Sequence, residues 1–310
     1  MNKRQVIIVA LVALAFFAVV LAVVYSGMES FHEAGRPGED RIVVIYLQGT
    51  IQEGGGGFFA GGITPRLVYS QLERALNDRT VSGVVLRVES PGGSIAASQE
   101  IAAMVRDFDK PVVVSMADMA ASGGYYIAAP AQGIVAQPGT MTGSIGVIST
   151  LMTLDGFYEM LGIEVEIFKS GEYKDMFSRT LTEDEREIMQ AISDQAYEQF
   201  ITDVAEGRGM DLEEVRALAT GQIYLGSQAL ELGLVDRLGG LDDAIAYLAE
   251  LNGFENPVRY HYPEPSLFVQ LFDYGYTVLA GLEKAFVPPE LIILDMLREG
   301  VPPQILYQVR

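Results

Sequence analysis

Two short glycine-containing stretches carry the residues of this chain that could do chemistry. Glu89-Ser-Pro-Gly-Gly-Ser94 follows an apolar run of strand type, and Ala120-Ala-Ser-Gly-Gly124 follows the next such run. Ligands of a parallel α/β sheet bind beyond the carboxyl ends of its strands, and glycines there let backbone N–H groups come close to a ligand. Donors at two successive strand ends, together with the Ser122 hydroxyl, predict an acyl-transfer site with a nucleophile and an oxyanion hole. The alternative is that Ser122 and its glycines only permit close packing of a helix on a strand.

A serine nucleophile needs a base, and the two histidines of the chain are badly placed to provide one. His32 lies in a polar linker and His261 lies near the C-terminal tail, outside the segments that would build a rigid site. A lysine can serve instead when burial disfavours its charged form and brings its pKa toward neutrality.

Only two of the five lysines are candidates for this base. Lys3 precedes the first apolar segment, Lys110 begins a strand and so lies at the wrong end of the sheet, and Lys284 lies in the tail. Lys169 and Lys174 remain, both in a loop that follows a predicted strand at 164–168. Either could also be an ordinary surface lysine.

The elements that would position these residues alternate between strands and helices. The pattern predicts strands at 41–47, 81–88, 111–116 and 133–137, with helices at 64–78, 94–108 and 122–129. Such alternation indicates a parallel sheet with helical crossovers, and the continuous apolar runs are typical of strands covered on both faces. Further helices are predicted from a capping box at Thr182 and Glu185 to about 207, from Asp211 onward, and over 240–251.

Composition excludes several classes of function. The net charge of −20 opposes binding to nucleic acid, so we expect no nucleic-acid partner. With no cysteine and two histidines, a typical zinc site lacks ligands, and no loop has calcium-binding spacing. We expect neither a metal nor another cofactor. The glycine-rich segment 54–62 lacks the ending of a phosphate-binding loop and suggests a mobile lining of a groove.

The N-terminal segment predicts a membrane anchor. Residues 6–25 form an apolar run long enough to cross a bilayer as a helix, and basic residues precede it while acidic residues follow it. This gives a cytoplasmic N-terminus at 1–5, a transmembrane helix at 6–25, a linker at 26–40 and a folded domain at 41–261 outside the cytoplasm. Residues 262–310 form an apolar or amphipathic tail that could pack against a subunit or the membrane interface. A cleaved signal peptide is the alternative for the anchor.

Several motifs together resemble the signal peptide peptidase A family of membrane-anchored Ser/Lys proteases. They comprise Ser-Pro-Gly-Gly, Ala-Ser-Gly-Gly-Tyr-Tyr-Ile-Ala, Thr142-Gly-Ser-Ile-Gly-Val147, Lys169-Ser-Gly-Glu-Tyr-Lys-Asp175 and Gly207-Arg-Gly-Met. The similarity covers about residues 41–250, with the motifs in order, and is closest to the short, single-unit form. It implies an α/β fold of the crotonase and Clp-protease type, with a parallel-sheet core and flanking helices.

The resemblance also implies a role for each candidate residue. Ser122 would be the nucleophile and Lys174 the general base. Gly123 and either Gly92 or Gly93 would form the oxyanion hole, and Ser144 would orient the lysine amine. Ser144 is also the rival nucleophile, because its turn exposes the hydroxyl, but no helix start there supplies an adjacent donor.

The family further implies an activity and an assembly. Serine and lysine would come from neighbouring subunits of a ring-like homo-oligomer, and the substrates would be hydrophobic peptides such as remnant signal peptides. Three alternatives stay open: a protease of the same fold for a specific membrane protein or for misfolded envelope proteins, a crotonase-type acyl-CoA enzyme, and a catalytically silent scaffold.

Overall fold

A computed structural model of the chain describes residues 39–54 and 62–262. Residues Gly35–His261 form one compact unit, and most of the remaining chain lies outside the described ranges. The predicted anchor at 6–25, most of the linker and almost all of the tail therefore fall beyond the described residues. Among the helices that are described, none combines the length and hydropathy needed to cross a membrane.

One mixed sheet, mainly parallel, organises the unit. Its strands are β1 (Asp40–Gln48), β2 (Val81–Ser90), β3 (Val112–Ala121), β4 (Gly133–Ala136), β5 (Met141–Gly143), β6 (Ile223–Leu225), β7 (Arg237–Leu238) and β8 (Pro257–Tyr260). The main path runs β6-β5-β3-β2-β1-β8, and β4 pairs with β3 and β7 off this path. Every pairing is parallel except that of β5 with β6. Strand β3 therefore pairs with β4 along its first half and with β5 along its second.

Helices connect the strands, as expected for parallel pairing. They are α1 (Pro65–Asn77), α2 (Ile95–Arg106), α3 (Gly123–Ala128), α4 (Asp155–Leu161), α5 (Glu183–Arg208), α6 (Leu212–Leu218), α7 (Gly226–Glu231) and α8 (Leu241–Asn252). The longest, α5, begins with the predicted capping box, in which the Thr182 side chain accepts from the Glu185 amide and the Glu185 side chain accepts from the Thr182 amide. It ends at Gly209 in the left-handed conformation that commonly closes helices.

The core lies on both faces of the central strands. Val85, Val113 and Val135 pack with Leu248 of α8 in one apolar cluster. Val84, their neighbour in β2, points to the opposite face by the two-residue alternation of a strand and is also fully buried. Because the central strands are covered on both sides, they read as continuous apolar runs in the sequence.

The structure corrects two expectations about local structure and adds elements that the sequence did not predict. The predicted strand at 164–168 does not form, since residues 163–169 have no regular secondary structure. Strand β3 continues to Ala121, five residues beyond its predicted end, because Met119, Ala120 and Ala121 pair with β5 instead of β4. The short helix α4 and the antiparallel pair β5-β6 have too few residues to give a periodic signal.

Candidate active site

Ser122 occupies a strained turn between β3 and α3. Its φ is 53° and its ψ is −122°, values that non-glycine residues rarely adopt. Although Ser122 stands at the N-cap position of α3, its side chain makes no capping hydrogen bond, which is the usual role of serine there. The turn therefore leaves the hydroxyl available, as in the sharp strand-to-helix turns that expose nucleophiles in hydrolases.

Ser144 is the second non-glycine residue with positive φ among the described residues, at 49°. It follows β5, whose Gly143 pairs with Ala121 of β3, so the two serines leave neighbouring parallel strands at the same level. The Ser144 amide donates to the carbonyl of Gln222, and the Ser122 amide donates to that of Gly143. The structure thus brings together the predicted nucleophile and the residue predicted to orient the lysine, which is also the rival nucleophile.

The Ser-Pro-Gly-Gly loop lies directly against this turn. A Cβ atom added to Gly92 would lie 2.7 Å from the Gly123 nitrogen and 2.8 Å from the Ser122 Cβ. One added to Gly123 would lie 3.2 Å from the Gly93 nitrogen. These distances leave no room for side chains at either glycine, so the two backbones can touch only because both positions are glycine.

The hydrogen bonds separate Gly92 from Gly93. The Gly92 amide donates to the Ser90 hydroxyl at 3.1 Å. Within the described ranges, the amides of Gly93 and Gly123 have no acceptor. These two adjacent, unoccupied donors have the arrangement that an oxyanion hole needs. Of the two glycines left open by the sequence, Gly93 is the one with a free donor.

Ile51 holds the glycine loop in place. Its amide donates to the Gly92 carbonyl at 2.9 Å and its carbonyl accepts from the Ser94 amide at 2.8 Å. The Gly93 backbone approaches so closely that an added Cβ would lie 2.0 Å from the Ile51 carbonyl oxygen. Both neighbours of the Gly93 amide are thus fixed by this chain segment, while that amide itself stays free.

A cleft opens beside Ser122. Gly93, Ser122 and Gly123 line it on the side of the candidate donors, and its other lining residues are mainly apolar: Ile95, Tyr126, Gly146, Val147, Ile148, Ala196 and Phe200, with Ser98. The rings of Tyr126 and Phe200 pack against each other with centroids 4.6 Å apart. The Tyr126 hydroxyl donates to the carboxylate of Asp203, and burial together with this carboxylate raises the pKa of Tyr126. The cleft therefore combines mainly apolar walls with Ser122 and the two candidate donors.

Lys174 is not among the described residues that line this cleft. It lies exposed in a turn at 172–178, and its amine makes no hydrogen bond or ion pair within the part of the chain that the structure describes. Lys169, the other candidate, is engaged: its amine donates to Asp175 at 2.6 Å and to the Glu172 carbonyl at 2.8 Å. A single chain therefore holds the serine, the donors and Ser144 together, whereas the Lys174 amine is exposed and does not line the cleft.

Lys110 lies away from the candidate site. The Lys110 amine donates to the carbonyls of Ala75 and Asp78, at the end of the sheet away from Ser122, as its place at the start of β3 predicts.

Residues 39–54 and 62–262 contain no group of three or more His, Asp or Glu side chains that could hold a metal ion. Most of the glycine-rich segment at 54–62 lies outside these ranges.

Sequence reasoning missed the walls of the cleft and the support of the glycine loop. Tyr126 belongs to the Ala-Ser-Gly-Gly-Tyr-Tyr-Ile-Ala motif. Its partner Phe200 comes from α5, more than seventy residues later, and only the tertiary fold brings the two rings together. Phe200 was visible as one of the apolar positions at helical spacing on α5, where it reads as an ordinary core residue. Ile51 acts through its backbone, for which the sequence carries no signal.

Comparison with known proteins agrees with this geometry. The model of peptidase family S49 matches residues 105–255, a range that includes Ser122, Ser144 and Lys174. A protein of Methanocaldococcus jannaschii described as a protease is 37% identical over 265 residues, covering 80% of this chain and 85% of that protein. A protein of Enterococcus faecium described as a signal peptide peptidase is 44% identical over 181 residues, covering 57% of this chain and 53% of that one.

A solved structure of a membrane-bound stomatin-specific protease with a substrate peptide is more distant. It shares 17% identity with a TM-score of 0.48, and the match covers 77% of this chain and 98% of that one. The assignment rests on the sequence matches, of which the archaeal one extends over most of both chains. This chain belongs to peptidase family S49 and is a serine peptidase.

Proposed function

We propose that the chain is a membrane-anchored endopeptidase in which Ser122 attacks the peptide carbonyl and Lys174 removes the hydroxyl proton. The Gly93 and Gly123 amides stabilise the oxyanion, and Ser144 orients the lysine amine. The observation that carries this proposal is the strained turn at Ser122, whose uncapped hydroxyl stands beside two free amide donors. Backbone strain of about 1–3 kcal/mol persists in folded proteins mainly where function requires it.

The position of Lys174 supports a site shared between two copies of the chain. An amine that acts as a base at neutral pH must be shielded from water, whereas Lys174 is exposed in the single chain. Subunit contact would supply the missing cover. We therefore propose that Lys174 of one subunit completes the site at Ser122 of its neighbour.

The segment between Ser144 and the lysine loop supports the same assembly. Its large apolar side chains are exposed to an extent unusual for a monomeric protein, with Ile148 at 87%, Met152 at 81% and Phe168 at 93%. Residues 163–169 also leave their backbone without strand pairing. A neighbouring subunit would bury these side chains, and closure of successive contacts would give a ring.

The proposed substrates are extended hydrophobic peptides such as remnant signal peptides. The apolar cleft beside Ser122 suits a small or apolar side chain, and the unpaired segment at 163–169 offers backbone groups to which an extended peptide could add as a strand. An anchor at 6–25 would hold the active site outside the cytoplasm, at the membrane face where such remnants arise. No cofactor and no nucleic-acid partner enter the proposed reaction.

Peptide hydrolysis by the full chain in detergent tests this function. Wild type should cleave a fluorogenic apolar peptide, and Ser122→Ala and Lys174→Ala should not. Millimolar alkylamine should partly restore Lys174→Ala, because a free amine can replace the missing base, and should leave Ser122→Ala inactive. Equal turnover by all three proteins would refute the mechanism.

Mixing the two inactive variants tests the shared site separately. Subunits of Ser122→Ala and Lys174→Ala, exchanged in detergent, should form some sites with both an intact serine and an intact lysine, and activity should return. Exchange is verified with differently tagged subunits. An inactive mixture with proven exchange would place both residues of each site in one chain.

A further inference from the structure

The loop that carries Lys174 is tied to the start of α5 by a chain of alternating charges. Lys169 contacts Asp175 at 2.6 Å, Arg179 contacts Asp175 at 2.9 Å, and Arg179 contacts Glu185 at 2.8 Å. We refer to Lys169, Asp175, Arg179 and Glu185 as the charge clamp. Asp175 directly follows Lys174, so the clamp grips the chain at the residue next to the proposed base.

Arg179 is the centre of the clamp. Its guanidinium donates two hydrogen bonds to Asp175, at 2.9 and 3.1 Å, and two to Glu185, both at 2.8 Å. A fifth donor reaches the Thr180 carbonyl at 3.0 Å. Only the planar, five-donor guanidinium can hold two carboxylates in this way, and a lysine at this position would lose the paired geometry.

Glu185 fastens the clamp to a rigid element. Besides accepting from Arg179, it accepts from the Thr182 amide at 2.8 Å and so completes the capping box of α5. The side chains of Asp175 and Glu185 are 8% and 2% exposed, whereas that of Arg179 is 28% exposed. Two nearly buried carboxylates thus share one cation, and removing this cation would leave them facing each other without compensation.

The stability of α5 alone does not require contacts as extensive as those of the clamp. The capping box already satisfies the helix start, and Asp175 lies outside the helix, in a turn where only Asp175 and Met176 are buried. The contacts to Asp175 instead fix the backbone on the C-terminal side of Lys174. Lys169 fixes the other side of the turn through Asp175 and the Glu172 carbonyl.

We propose that Arg179, Asp175 and Glu185 are positioning residues that fix the Lys174 turn relative to α5, so that the lysine is presented rigidly to the serine it serves. The two lysines of the loop then have separate roles, Lys169 as an anchor and Lys174 as the base. This inference rests on the proposed role of Lys174. It assigns no contact between the clamp and the substrate, so the clamp should affect the chemical step and leave substrate binding largely unchanged.

Kinetics of Arg179→Ala in the full, detergent-solubilised chain test the clamp. A misplaced base should lower kcat by about 100-fold while KM stays within about twofold, since displacements of about 1 Å can cost this much. Millimolar guanidinium, far below denaturing concentrations, should restore part of kcat by occupying the vacated site. It should not restore Lys174→Ala.

Arg216→Ala is the matched control. Arg216 also forms a two-bonded pair with a glutamate of α5, contacting Glu198 at 2.5 and 2.9 Å, but on the exposed surface and away from the lysine loop. Its kcat should stay within about twofold of wild type, as expected for an exposed ion pair, and guanidinium should have no effect.

The outcomes separate the clamp from the dyad. Wild-type kcat in Arg179→Ala, or equal effects on kcat and KM without guanidinium rescue, would overturn the clamp while leaving an inactive Lys174→Ala to support the dyad. Activity in Lys174→Ala would overturn the dyad and the clamp together. If Arg179→Ala does not fold, Arg179→Lys decides: it keeps the charge without the paired geometry, and a wild-type kcat would refute the proposal.

Discussion

The amide of Ser122 donates to the carbonyl of Gly143 at 2.8 Å, at the point where strands β3 and β5 both end. This bond fixes the serine beside Ser144 and occupies the amide of the serine itself. An oxyanion hole must then draw on the neighbouring residues, and the free amides of Gly123 and Gly93 are the ones in place. The hydrogen-bond pattern of the backbone thus selects which donors can take part in the reaction.

Replacing Ser122 by glycine should stabilise the fold relative to replacing it by alanine. At a φ of 53° an alanine keeps the strain of the turn, about 1–3 kcal/mol, which glycine relieves. The greater freedom of glycine in the unfolded chain offsets about 0.5–1 kcal/mol of this gain. We expect the free energy of unfolding of Ser122→Gly to exceed that of Ser122→Ala by about 1 kcal/mol in urea denaturation.

Ser144 provides a second test of this prediction, and Ser98 provides a control. Ser144, at a φ of 49°, should behave in the same way. Ser98 lies within α2 and has no positive φ, so there the glycine variant should be less stable than the alanine variant by about 1 kcal/mol. The same order at Ser122 as at Ser98 would show that the turn is unstrained.

Gly93→Ala should reduce activity strongly. The new Cβ would lie 2.0 Å from the Ile51 carbonyl oxygen, so the loop must move and carry the Gly93 amide away from Ser122. Loss of one oxyanion donor lowers kcat by about 10²–10³-fold, and we expect a loss in this range with KM little changed.

Gly139→Ala is the control for this substitution. An added Cβ there meets nothing within 4 Å, and kcat should stay at the wild-type value. A Gly93→Ala protein that retains full kcat would exclude the Gly93 amide from the oxyanion hole and return the role to Gly92 or to another donor.

Acid should remove the contribution of the charge clamp to stability. Hydrogen bonds from Arg179 and Lys169 lower the pKa of Asp175 from 3.8 to about 2, and those from Arg179 and the Thr182 amide lower the pKa of Glu185 from 4.5 to about 2. A lowered pKa in the folded state stabilises the fold above the unfolded pKa, and this stabilisation disappears as pH falls through the folded value.

Urea denaturation of wild type and Glu185→Gln at several pH values measures this effect. The wild type should be the more stable protein above about pH 5, and the difference in unfolding free energy should shrink steadily as pH falls toward 2. A difference that stays constant over this range would mean that Arg179 does not hold Glu185 ionised.

The central sheet could be predicted from the sequence because its strands are apolar and alternate with helices along the chain. β2 and β3 are buried on both faces and gave unbroken runs such as Val84-Val85-Leu86. The capping box at Thr182 and Glu185 predicted the start of α5 correctly, since it is a local pattern of side chain and backbone. The expected strand at 164–168 was wrong for the single chain, where alternating apolar residues have no neighbouring strand to pair with.

The sequence predicted some residues of the candidate site but not the contacts that hold them. Ser122 and the glycines lie at strand ends, a place that a parallel sheet makes predictable. The choice of Gly93 over Gly92 depends on a hydrogen bond to the Ser90 side chain, and the charge clamp depends on how Arg179 folds back between Asp175 and Glu185. Such contacts follow from side-chain geometry that spacing in a sequence does not determine.

Covalent labelling is the most direct measurement of the central claim, that Ser122 is a nucleophile activated by Lys174. The full chain in detergent is treated with a serine-directed phosphonate, and the modified residue and its rate of formation are read by mass spectrometry. The account predicts a single adduct on Ser122, none in Ser122→Ala, and labelling slowed by at least about 100-fold in Lys174→Ala but not in Lys110→Met. An adduct on Ser144 in the wild type, or labelling of Lys174→Ala at the wild-type rate, would contradict it.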